Sequence, residues 1–501
     1  MTPTTGSEGL RIARGALAQQ AAQVVGVVSM LASVTVLGRT LPLDSFGVYG
    51  LVLAIAAYVL VVQASVGGAV VRAVSTAADD GRRDRVFSTA LAVYSVVGVI
   101  AGVLVATGGT AILDLLDIPV RLRDDAREGM VALGCVMALG WPFKVFQDGL
   151  RGTQRFLEAS LAEVLAHVTY ATALISLTLA DAPLWAIAAV GGSLPVLMGA
   201  ASAVAVTLRR VPLRFRREDV DAGVARELIR FSGRLGTIAV TDLIVYALDR
   251  VILAAFRNAA TVGLYEAVTR PHNLLRQLHS TLVVTVVPVA SGYLAAEDEA
   301  RMRDLLVRGT RYVLAIVVPV TVIFAVLAAP ILDVWLGAKF RVAAPAMAIF
   351  AGYWVLGANT GVGSSALVAA GQLRAITVYA WVGALLNLTM SLALTPRLGL
   401  EGVVIATAAQ TVLQFPWFIA LMVRYLPVSV SELARRAWLP AYATGAVIAV
   451  GLGALLLTIG LESPLALVTA STGAMVFAAA AYWMVWLDDH ERTLVRRLLA
   501  R

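Results

Sequence analysis

The chain has 501 residues, 59% of them hydrophobic and 14% charged, with a formal net charge of +8. Soluble domains carry about 25% charged residues, so this balance argues against a water-soluble enzyme. The lone cysteine, Cys135, excludes a disulfide framework or a CxxC metal site, and His167, His272, His279 and His490 form no H-E-x-x-H pattern.

From the N-terminus, Met1 to Leu10 is short and polar without a cleavable signal pattern, and the first apolar run follows Arg11 and Arg14. Apolar runs then recur near 15–38, 46–71, 86–109, 128–150, 160–180, 184–208, 232–254, 262–290, 311–331, 344–369, 376–395, 400–423, 438–460 and 465–487. Each can cross about 30 Å of hydrocarbon as a helix, and backbone groups in lipid must bond internally. Alternating ten-residue strand patterns are absent, which argues against a β-barrel. The sequence therefore predicts an all-α polytopic membrane protein of about 14 spans.

Charge sets the orientation. With the N-terminus cytoplasmic, the cytoplasmic connections carry 27 Arg or Lys and the outer ones 8. That matches the positive-inside rule, puts both termini in the cytoplasm, and assigns the excess charge to topology and not to nucleic acid. Basic residues are nearly all Arg, with Lys144 and Lys339 the two lysines. No connection is long enough to hold a soluble catalytic domain, so functional groups should lie within the bundle or at its edges.

The chain repeats itself at an offset of 216. Gly47-Val48-Tyr49 returns as Gly263-Leu264-Tyr265, and Leu116-Asp117-Ile118 returns as Leu332-Asp333-Val334. Arg39 has a counterpart in Arg250, and Gln154 in Gln372. The implied division is a six-span bundle over 1–210, a basic cytoplasmic linker over 211–231, a second six-span bundle over 232–424, and two further spans with a tail over 425–501. An even number of spans per repeat keeps both copies in the same orientation, as in two-halved transporters.

Four stretches carry a family resemblance: "LGRTLPLDSFGVYGL", "YALDRVILAAFRNAATVGLYEAVTR", "VVPVASGYLAAEDEARMRDLLVRGTRYVLAIVVP" and "LNLTMSLALTPRLGLEGVVIATAAQTV". They resemble the Wzx-type polysaccharide transporters of the MOP superfamily, which also holds the MATE exporters and the lipid II flippases. The resemblance implies a bacterial plasma-membrane flippase, not an enzyme. It implies a V-shaped cavity and alternating access that moves a polyprenyl-pyrophosphate-linked oligosaccharide to the outer leaflet. It also implies no cofactor or metal, and partners among the pathway's polymerase and glycosyltransferases. A MATE-like exporter of cationic compounds and a lipid II flippase are the alternatives. The early arginine-rich pattern of the latter is absent from span 1. An ATP-driven pump is excluded because neither lysine sits in a G-x-x-x-x-G-K motif.

Five basic residues fall inside the spans: Lys144, Arg234, Arg250, Arg270 and Arg276. Arg276 lies about 14 residues into span 8, about 21 Å along a helix, too deep for easy snorkelling. His272, Arg276 and His279 share a face at i, i+4 and i+7, while Glu266, Arg270, Asn273 and Gln277 form a second polar face and Pro271 kinks the helix between them. These are the substrate-binding candidates, because arginine forks suit phosphate oxygens; the competing reading is a buried Glu266–Arg270 pair. In span 4, Lys144, Asp148 and Arg151 share a face near the cytoplasmic end, against a simple Lys–Asp helix pair. Asp242, Asp249 and Glu266 are candidates for ion coupling, against ion pairs with neighbouring arginines. Asn359, Ser364, Ser365 and Asn387 read as helix–helix glue.

Overall fold

The computed structural model describes residues 6–209, 211–246 and 248–499; side chains are described for these except 6–13, 16, 61, 234–244, 246, 494, 495 and 497–499. Among the described residues every regular element is helical. In chain order the principal helices are α1 (Gly6–Thr40), α2 (Leu43–Ser75), α3 (Asp80–Asp114), α4 (Val120–Gly152), α5 (Phe156–Leu179) and α6 (Leu184–Gly191 with Leu194–Leu208). There follow α7 (Ala222–Tyr246 with Leu248–Phe256), α8 (Ala259–Ala295), α9 (Glu299–Val326), α10 (Ala338–Gly357 with Thr360–Ala369), α11 (Leu373–Leu398), α12 (Leu400–Tyr425), α13 (Val430–Thr458), α14 (Pro464–Trp486) and α15 (Asp489–Leu499).

Among the described residues, twelve helices are long and apolar enough to cross a membrane, and the bent pair forming α6 makes thirteen. The sequence reads 184–208 as one straight span; it bends by 53° where Gly192 and Ser193 interrupt the ladder and Pro195 cannot donate. The expected seventh span lies on α7, where the side chains of 234–244 are outside the described residues.

The chain forms two compact units, Met1–Gly263 and Leu264–Arg501. The sequence places the joint at the basic linker over 211–231, yet α7 is grouped with the first unit. The reason is packing: α7 runs along α2 and also meets α3. Within the first unit α1 packs on α5, α3 on α4, and α4 on α2 and α6. Its core on the side of the linker is built from Val66, Val70, Val74, Phe87, Tyr94, Val145, Leu150 and Leu213. In the second unit α9 packs on α10 and α13, and α11 and α10 pack on α12. Its core includes Leu275, Leu306, Val317, Trp354, Phe418 and Met422.

The turns after α4 and within the connection after α10 have the same hydrogen bonds. Thr153 N–H bonds to Gly149 O and Arg155 N–H to Leu150 O; Ala370 N–H bonds to Ala366 O and Gln372 N–H to Leu367 O. The left-handed residues closing them are Gln154 (φ 58°) and Gly371 (φ 75°). The structural repeat here pairs Gln154 with Gly371, one residue away from the Gln154–Gln372 match in the sequence.

Candidate substrate-binding site

In α4, Trp141-Pro142 breaks the α-helical ladder. Pro142 cannot donate a backbone hydrogen bond, and residues Trp141–Phe143 form a 3-10 turn before Lys144–Gly152 resumes. The turn sends Lys144 onto Asp148, one helical turn on, in a close ion pair. Asp148, 1% exposed, also accepts from the Tyr94 hydroxyl at 2.6 Å. The network presses against α2 at Gly67, where a Cβ would stand 3.2 Å from Asp148 Oδ2. Removing charged groups from water is costly unless each is paired, and here each is. Lys144, half-buried, is held by Asp148 in the pair that the i, i+4 spacing allows. Arg151 does not join it: Arg151 pairs with Glu163 of α5 at 2.5 Å, and Gln147 Nε2 donates to the same carboxylate at 3.1 Å.

The expected open face of His272, Arg276 and His279 on α8 is split by packing. His272, 1% exposed, stacks on Phe350 with ring centroids 3.8 Å apart, and Trp354 Nε1–H donates to its Nδ1 at 3.3 Å. His279 lies against the same tryptophan, centroids 5.3 Å apart, with its ring over Gly361. Both histidines therefore pack against aromatic rings of α10. Arg276 and its neighbour Gln277 are exposed. On the second polar face, Glu266, 1% exposed, holds Arg270 at 2.7 Å, four residues on. The candidate ion-coupling acid at Glu266 and the candidate substrate cation at Arg270 thus bind each other.

On α7, Asp249 is 1% exposed and lies with Arg250 within electrostatic range of Tyr58 on α2. The Asp242 side chain lies outside the described residues. Among the described residues, no group of three or more His, Cys, Asp or Glu is placed to hold a metal ion. Of the helix–helix glue residues, Asn387 is fully buried and donates to Thr407 Oγ1 of α12 at 2.9 Å, and Asn359 donates to the Tyr442 hydroxyl of α13 at 2.8 Å.

Sequence reasoning missed Tyr94, Glu163 and Trp354 because their partners sit 54, 12 and 82 residues away. It also missed Glu491, 2% exposed, which accepts from Arg311 and Tyr312 of α9 and pins α15. A signal for the last was present: Asp488, Asp489 and Glu491 open an amphipathic run, and acidic residues in a first turn favour a helix start.

Long apolar helices in two units define a multi-pass membrane protein. The chain is similar to the lipid II flippase MurJ in an inward closed conformation, with a TM-score of 0.72, 12% identity, and coverage of 97% of this chain and 99% of that one. It is also similar to an inward-facing MATE family multidrug resistance transporter of the MOP superfamily, with a TM-score of 0.67, 14% identity, and coverage of 80% and 95%. The chain belongs to the polysaccharide biosynthesis protein family, which it matches over residues 36–345. A relative, the uncharacterized membrane protein EpsK of Bacillus subtilis (strain 168), is 22% identical over 327 residues, and the matched stretch covers 64% of each chain.

Proposed function

We propose that the protein is a flippase, not an enzyme, that moves a polyprenyl-pyrophosphate-linked oligosaccharide from the inner to the outer leaflet of the bacterial plasma membrane by alternating access. In this reading both termini are cytoplasmic, and the product passes to the polymerase and glycosyltransferases of a surface-polysaccharide pathway. The observation that carries it is Arg276, exposed near the middle of a 37-residue apolar span. A cation at that depth costs at least about 3 kcal/mol facing lipid. Such a cation faces a cavity and not lipid, and a guanidinium meets the oxygens of a pyrophosphate with two parallel hydrogen bonds. Membership of the polysaccharide biosynthesis family supports the same substrate class. The exporter of cationic compounds is the weaker reading, since Glu266 and Asp148 are already neutralised by Arg270 and Lys144.

Deletion in the source organism, complemented with wild type or Arg276→Ala, tests this. The expected result is lipid-linked sugar stranded on the cytoplasmic leaflet and failure of the variant at normal membrane levels. Unchanged polymer together with new sensitivity to cationic drugs would overturn it.

A further inference from the structure

The connection between α6 and α7 is not a slack linker. The Arg214 N–H donates to Asp84 at 3.0 Å, the Arg216 N–H to Ser88 Oγ at 3.0 Å, and the Asp221 N–H to Thr89 Oγ1 at 3.0 Å, so its backbone is tied to the first turns of α3. Leu213 is buried over Gly149, where a Cβ would come within 2.6 Å of its Cδ1. Tied down on one side, the strap presents the other to its surroundings: Arg214, Phe215, Arg216 and Arg217 are all exposed, Phe215 at 53%.

Phe215, Arg217 and Val220 overhang α3 and enclose, with Leu91, Ala92 and Ser95, a groove of about 440 Å³. Its floor runs on along the same helix face. Val96, Val99, Ile100 and Val103, spaced i, i+3, i+4 and i+7 on one side of α3, are each more than half exposed. An exposed aliphatic stripe on a spanning helix is a surface for acyl chains. The arginines stand at the strap end of that stripe, the position of a phosphate headgroup, with Arg216 partly shared by Glu218 at 3.9 Å. The strap follows six spans, an even number, so it lies on the side of the N-terminus.

We propose that this groove binds one glycerophospholipid with an anionic headgroup, drawn from the leaflet on the N-terminal side. Arg217 and Arg214 hold the phosphate, Phe215 seats at the glycerol level, and an acyl chain runs along Leu91, Ala92, Val96 and Val99. The occupant is amphiphilic because the site is: an arginine cluster alone suits a free phosphate, but here it opens onto an apolar groove continuous with a lipid-facing stripe. The site is separate from Arg276 and does not depend on what the protein transports.

The test is native mass spectrometry of the full chain, released from detergent and titrated with phosphatidylglycerol or phosphatidylcholine. Wild type should hold phosphatidylglycerol more tightly, by about five-fold for each arginine engaged. Arg217→Ala should lose about five-fold of that preference, and Ala92→Trp, which fills the groove without changing charge, should lower retention of both lipids. Arg301→Ala, an exposed arginine on the same side at the start of α9, should leave binding unchanged. Millimolar inorganic phosphate should not displace the lipid. Equal binding of the two lipids, unchanged binding in Arg217→Ala, or displacement by phosphate would each overturn the proposal. Arg217 and Arg301 are exposed, so their variants keep the test valid even if Ala92→Trp fails to fold.

Discussion

Gly47 and Gly263, which occupy the same place in the two sequence repeats, pack against each other. A Cβ on Gly47 would collide with the Ala259 carbonyl and stand 2.8 Å from the Gly263 nitrogen; a Cβ on Gly263 would collide with the Leu43 carbonyl and stand 3.2 Å from the Gly47 nitrogen. The first turns of α2 and α8 therefore meet backbone to backbone, and neither copy has room for a side chain. Gly47→Val or Gly263→Val should destabilise the protein by about 3 kcal/mol or more, since overpacking here must move backbone. Thermal unfolding of the purified variants in detergent checks this, and a melting temperature equal to wild type would contradict it.

The Glu266–Arg270 pair supports a second prediction. Arg270→Ala leaves a buried carboxylate without its main partner and should cost about 3–5 kcal/mol, while Glu266→Leu with Arg270→Met together should recover most of that loss. Denaturant titration of the single and double variants reads the difference. If Arg270 instead contacts substrate, the double variant will be stable but inactive in export, which separates the roles.

Tyr94→Phe should weaken the Lys144–Asp148 network without breaking its ion pair, at a cost of about 1 kcal/mol, whereas Asp148→Ala strands Lys144 and should cost about 3–5 kcal/mol. The ratio of the two losses in the same unfolding assay is the measurement.

Gln154 closes the turn after α4 at φ 58°, a conformation glycine adopts without cost. Gln154→Gly should stabilise that turn, by up to about 1 kcal/mol; the matching position Gly371 already has glycine, and Gly371→Ala should destabilise.

Docking of α15 should respond to acid. The Glu491 N–H bonds to the Asp488 carboxylate at 2.8 Å, and with the nearby Arg308 and Arg311 this holds the Asp488 pKa below its ordinary value of 3.8. A carboxyl depressed on folding contributes stability above its unfolded value and loses it as pH falls through the folded one. Spin labels at Arg301→Cys and Thr493→Cys, on a Cys135→Ser background, should report one fixed distance at pH 6 and a broadened one as the pH is taken below the ordinary value of 3.8. A distance that broadens equally in Asp488→Asn at pH 6 and in wild type in acid would support Asp488 as the contributor, and an unbroadened Asp488→Asn would exclude it.

How much of this was legible in the sequence depends on how local each cause is. The apolar runs set the helices, because hydrocarbon thickness and backbone bonding act on a single segment. The Lys144–Asp148 and Glu266–Arg270 pairs were legible as i, i+4 spacings. The bend in α6 at Gly192-Ser193 was not, since the same residues occur in straight spans. The packing of His272 and His279 depended on where α10 puts Phe350 and Trp354, and helical spacing along α8 carries no such information. The strap from Val211 to Asp221 looked like an open basic loop because the groups that tie it, Asp84, Ser88 and Thr89, lie about 130 residues earlier.

The seat of Glu491 has a consequence for synthesis. Arg311 emerges 180 residues before the carboxylate that receives it, a lag of roughly ten to forty seconds at ordinary translation rates. During that interval the head of α9 carries a guanidinium whose final acceptor does not yet exist. Glu491 supplies it only after α10 to α14 have been made, so α9 stays unsealed while the rest of its unit assembles around it.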